Sequence, residues 1–79
     1  MAITQKNSID PGTLEWAMRQ AGGAYAREAK AGPLIGVSGA ALRKWRHDCE
    51  GPPHVRLHGR VVAYEIKSLL EWAARHRAA

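Results

Sequence analysis

Arg43, Lys44, Arg46, Arg56 and Arg60 fall within one eighteen-residue stretch, with His47, His54 and His58 interleaved. Cations at this density can neutralise the phosphates of a nucleic acid. Arginine can also pair bidentately with the edge of a guanine. Residues 1–30 carry four Lys/Arg against three Asp/Glu, whereas residues 31–79 carry eight against four, so most of the net +5 sits in the second part. A solvated, mixed-charge surface is the ordinary explanation of such a run. The elements that hold these side chains decide whether they share a face.

Other groups invite other chemistry. His47, Cys49, His54 and His58 place four potential metal ligands within twelve residues. Their spacing fits no standard zinc pattern. On one extended strand, His54 and His58 would stand about 13 Å apart, too far to share an ion. No metal and no cofactor are therefore expected. Cys49 has no Cys-His-acid arrangement around it and is expected to be a structural or idle thiol. Trp16, Trp45 and Trp72 are expected in the core, because tryptophan dominates the packing of small domains. Arg75 and Arg77 suit a solvated helix end.

Seventy-nine residues make one domain. A chain of this size buries only roughly 60–65% of its unfolded surface, which leaves little room for both a core and a deep pocket. An enzyme is not expected, and no residue is assigned a catalytic role. Hydrophobic content of 46% is ordinary for a folded domain. No apolar run approaches the roughly 20 residues that cross a bilayer, and Met1–Asp10 lacks the apolar centre of a secretory signal. A single cysteine fits a reducing cytoplasm. A pI near 10.0 points first to nucleic acid, then to an anionic membrane surface or an acidic protein.

Residues 1–9 read as a polar N-terminal arm and 10–79 as the domain. Asp10-Pro11 starts a helix, since Asp caps and Pro fits the first helical position. Leu14, Ala17, Met18 and Ala21 give it an apolar stripe, and Gly22-Gly23 stops it. Ala24–Lys30 can form two further helical turns, which Gly32-Pro33 breaks. Ser38 caps a helix over 39–47. Leu42 and Trp45 share one side of it with Ala41, while Ala40, Arg43, Lys44 and His47 point the other way. Glu50-Gly51-Pro52-Pro53 is a loop. His54–Leu57 alternates as a half-buried strand, His58-Gly59 turns, and Arg60–Tyr64 returns. The last helix runs from about Glu65 to Arg77 with a stripe of Ile66, Leu69, Leu70 and Ala73 flanked by Trp72. The expected fold is mainly α with a small β-hairpin: a winged helix-turn-helix with three to four helices and a two-stranded wing.

Three motifs in order carry a family likeness. Ile35-Gly36-Val37-Ser38 with Leu42-Arg43-Lys44-Trp45-Arg46, then Gly51-Pro52-Pro53-His54-Val55-Arg56-Leu57-His58-Gly59-Arg60, then Tyr64 with Leu69 and Trp72 resemble the helix-turn-helix, wing and closing helix of MerR-like winged helix domains. The match spans residues 34–73. Pro33 departs from it where the family has helix, which predicts an irregular link into the turn. Ala41, Ala63 and Ser68 depart where the family often has threonine, arginine and aspartate.

Short one-domain members of this group are excisionases (recombination directionality factors) and AlpA-like regulators. The resemblance implies a sequence-specific architectural factor that binds repeated sites on double-stranded DNA. It would self-associate there, bend the DNA and direct a partner integrase toward excision of a mobile element. Arg43, Lys44 and His47, with Ala40, are expected to face the major groove. Arg56, His58 and Arg60 are expected to carry the wing, and Ser38 and Arg46 to touch backbone phosphate. An AlpA-like transcriptional regulator is the first alternative. A non-DNA module for an acidic partner is the second. A full MerR regulator would need a dimerisation helix and effector domain after Ala79, so no small-molecule effector is expected. The expected setting is the cytoplasm, at the nucleoid, with no membrane partner.

Overall fold

A computed structural model of the protein describes residues 9–76. The arm expected over 1–9 lies outside these residues except for Ile9, which packs, partly buried, against the core. Arg77 also lies outside them.

Helix α1 spans Pro11–Ala21, with the Asp10 carboxylate accepting from the Thr13 N–H at 3.1 Å and Pro11 at the first position. Gly22 and Gly23 close it by donating to the Arg19 and Met18 carbonyls. Ala17 is fully buried, with Leu14, Met18 and Ala21 packed beside it, so the apolar stripe faces the core as expected. Trp16 lies off that stripe and is 51% exposed, which corrects its expected place in the core.

Two helical turns were expected over Ala24–Lys30. Instead Tyr25–Ala26 forms a short strand, β1, and helix α2 runs Glu28–Leu34, straight through Gly32-Pro33. A proline hinders the α conformation of its predecessor chiefly by crowding that residue's N–H and Cβ. Gly32 has no Cβ, so Pro33 is tolerated in the final turn. The expected irregular link is absent. Ile35 caps α2, and Gly36, at φ +85°, turns the chain.

Helix α3 spans Gly39–His47, and the Ser38 hydroxyl accepts from the Ala41 N–H at 3.0 Å. Two glycines draw the motif together, Gly32 against the turn and Gly39 against α2. A methyl group on Gly32 would lie 2.7 Å from the Val37 carbonyl oxygen, and one on Gly39 would lie 2.9 Å from that of Glu28.

Strand β2 (Val55–Leu57) and strand β3 (Val61–Glu65) form the wing, pairing Val55 with Ala63, Arg56 with Val62 and Leu57 with Val61. Both His58 (φ +55°) and Gly59 (φ +73°) adopt positive φ at its tip, as a tight hairpin turn requires. Strand β1 pairs antiparallel with the other edge of β3, so the sheet has three strands in the order β1-β3-β2. Strand β2 is exposed at all three positions, not half-buried; Val55 and Leu57 are 38% and 44% exposed.

Helix α4 (Ile66–Arg75) follows β3 without a loop, and the Ile66 N–H donates to the Ala24 carbonyl at 2.8 Å. Ile66, Leu69 and Leu70 join Ala17, Ala26, Ala31, Leu42 and Tyr64 in the core. Trp45 and Trp72 lie at its margin, half-buried, with ring centroids 5.7 Å apart. The architecture is a winged helix-turn-helix: α2, turn and α3, followed by a hairpin and a closing helix.

Candidate nucleic-acid interface

Helix α3 divides its residues by periodicity. Leu42 is fully buried and Trp45 half-buried. Ala40, Arg43, Lys44 and His47 are exposed, at the i, i+3, i+4, i+7 spacing of one face. The side chains of Arg43 and Lys44 are 65% and 76% exposed. Lys44 also meets Asp48 one turn on, at 3.5 Å; an exposed pair of this kind contributes little and leaves the ammonium available. Ser38 is exposed at the head of the helix, its oxygen already engaged as the cap.

The wing adds Arg56, His58 and Arg60, all exposed. Arg56 stands opposite Val62, and opposite residues share a sheet face. Val62 packs on the core, so Arg56 extends from the helix-bearing face of the sheet. His54 lies on that face too, its ring 6.2 Å from that of Tyr64. The structure thus places Ala40, Arg43, Lys44 and His47 on one helix face, and Arg56, His58 and Arg60 on the adjoining hairpin.

Arg46 does not join them. Its Nε donates to Glu28 Oε2 at 2.8 Å, and the two side chains are only 16% and 13% exposed. The expected phosphate contact is corrected: Arg46 braces α3 against α2. The Tyr64 hydroxyl donates to the same Glu28 oxygen at 3.1 Å. Arg43 Nε lies 3.6 Å from the other oxygen. One carboxylate therefore joins α2, α3 and the central strand of the wing.

Burial pushes the Glu28 carboxyl up. The hydrogen bonds from Arg46 and Tyr64, and the charges of Arg46 and Arg43, outweigh it and hold the group below the ordinary carboxylate value. Burial, followed by the Glu28 charge, raises the Tyr64 phenol. The hydrogen bond to Glu28 raises Arg46, which stays a cation.

Sequence reasoning missed Glu28 and the second role of Tyr64. Glu28 lies eighteen positions before Arg46 and thirty-six before Tyr64, so no local spacing connects them. The one available signal was Glu28 as the sole acid between Glu15 and Asp48. Among the described residues, no three of His, Cys, Asp and Glu gather as a metal site, and no helix is long and apolar enough to cross a membrane. A cleft of about 600 Å³ between the helix-turn-helix and α4 is lined mostly by apolar side chains, including Leu34, Val37, Trp45, Leu70 and Trp72. Comparison with protein-family models, curated proteins and solved structures gave no match.

Proposed function

We propose that the protein is a sequence-specific DNA-binding architectural factor of the excisionase type, without bond chemistry of its own. The observation that carries this reading is the joint exposure of Arg43, Lys44 and His47 on one face of α3 and of Arg56, His58 and Arg60 on the wing. A helix fits the major groove, where base edges are distinguishable, and a hairpin can reach the backbone or an adjacent minor groove. Small Ala40 leaves the leading end of the helix face free to approach. The motif resemblance to MerR-like winged helix domains adds the biological setting: repeated sites in cytoplasmic DNA, self-association along them, bending, and an integrase as protein partner.

Titration of duplex DNA at several salt concentrations tests the reading. Five basic residues in the central stretch would predict about five phosphate contacts. With Arg46 committed to Glu28, four exposed cations remain, and the log–log slope should fall near −3 to −4. Absence of binding at low salt would sink the proposal. Binding without excision stimulation beside a cognate integrase would favour an AlpA-like transcriptional regulator.

A further inference from the structure

We propose that Glu28 is a specificity-determining positioning residue: it sorts two arginines one helical turn apart, fixing Arg46 as a brace and aiming Arg43 as the base-reading side chain. This rests on the DNA-binding reading and names what controls that site.

The geometry is asymmetric in a way that matters. Glu28 Oε2 is occupied by Arg46 at 2.8 Å and Tyr64 at 3.1 Å, both part-buried contacts. Oε1 faces Arg43 Nε at 3.6 Å. Arg46 is 16% exposed and Arg43 65% exposed, so the same carboxylate hydrogen-bonds one guanidinium inside the fold and stands within ion-pair distance of the Nε of another that reaches solvent. An untethered arginine loses much rotamer freedom when it docks on a base, and prior ordering lowers that cost. Bidentate pairing needs the guanidinium plane in a set orientation.

The charge has a second effect. A carboxylate beneath a DNA-facing helix repels every phosphate, whatever the sequence. It lowers affinity for every duplex alike. Discrimination therefore grows from orientation at the correct site, while the uniform repulsion cancels in the difference of affinities. A brace alone would require only the pair with Arg46 and would not predict any dependence of base choice on Glu28.

The test compares wild type, Glu28→Gln, Arg43→Ala and the double variant. The glutamine carbonyl can still accept from Arg46 and Tyr64 while the charge is lost. Each folded protein selects from a library of duplexes randomised over about two helical turns. The expected result is a loss of roughly tenfold in discrimination at one base pair for Glu28→Gln, the scale of one bidentate contact. Affinity for a mixed-sequence duplex at low salt should be equal or higher. Glu28→Gln should have no further effect on discrimination in the Arg43→Ala background. Unchanged discrimination with a lowered melting temperature would overturn the proposal and leave Glu28 a brace only. So would the same loss in the Arg43→Ala background.

A DNA-free measurement keeps the idea testable if Glu28→Gln fails to fold. The Arg43 Nε–H group of the free wild-type protein should be ordered by NMR relaxation, and should stay ordered in Tyr64→Phe, which leaves the carboxylate in place. A freely mobile Arg43 side chain sinks the Glu28 inference alone. An ordered Arg43 in a protein that selects no duplex sinks the DNA-binding reading, and the reader's role with it.

Discussion

Arg43 and Arg60 are both exposed cations, yet their positions assign them different work. Arg43 lies on the helix that fits the major groove, so Arg43→Ala should cost about 1–3 kcal/mol at the preferred site and relax base choice there. Arg60 follows the wing tip, and Arg60→Ala should weaken all duplexes evenly and make the salt slope shallower by about one. Equal, sequence-independent losses from both variants would refute base reading by Arg43. The exposed helix face was legible from the sequence because exposure along a helix follows from spacing alone. The fate of Arg46 was not, since its partner Glu28 comes from another helix. That partner also makes stability depend on pH at both ends. The Glu28 carboxyl is held low in the fold, so its contribution is present above the unfolded value of about 4.3 and is lost as pH falls through the folded one. The Tyr64 phenol is held high, so its contribution is present below about 10 and is lost as pH rises through the folded value. Melting temperatures of wild type and Glu28→Gln should converge in acid; parallel curves would contradict this.

At the scale of elements, local signals succeeded where the cause of the structure is local. The Asp10 and Ser38 caps, the Gly22-Gly23 stop and the His58-Gly59 turn each satisfy or bend nearby backbone, so the sequence near them was sufficient. Strand β1 was illegible because two residues become a strand only by pairing with Tyr64 and Glu65, nearly forty positions away. The passage of α2 through Pro33 was misread because proline's penalty was taken without its neighbour's missing Cβ. A second glycine, Gly39, sets how closely α2 and α3 approach. Gly39→Ala would place a methyl 2.9 Å from the Glu28 carbonyl oxygen and 3.1 Å from the Ala29 Cα. Backbone cannot step aside as a flexible side chain can. The overpacking cost of about 1–3 kcal/mol should outweigh alanine's helix preference of up to about 1 kcal/mol. Chemical denaturation should show a lower midpoint; a rise would mean that the two helices separate freely.

Across the whole molecule, the central strand β3 binds everything together. It pairs with β1 on one side and β2 on the other, runs directly into α4, and sends the Tyr64 hydroxyl to Glu28. The wing is thus anchored at its base and open at its tip. Trp16, expected inside, stands outside because it lies off the stripe of Leu14, Ala17, Met18 and Ala21 that α1 turns to the core.

Ile9 and His76, near the two limits of the described chain, line the same cleft. The two limits of the described chain therefore open onto one cleft. Such a layout suits rewiring. A linker from His76 back to Ile9 could join the limits of the described chain, and new ends could be opened between His58 and Gly59, where the hairpin turns. The permuted chain would keep all helix contacts and would carry its free ends on the wing. It should fold with a near-native circular dichroism spectrum.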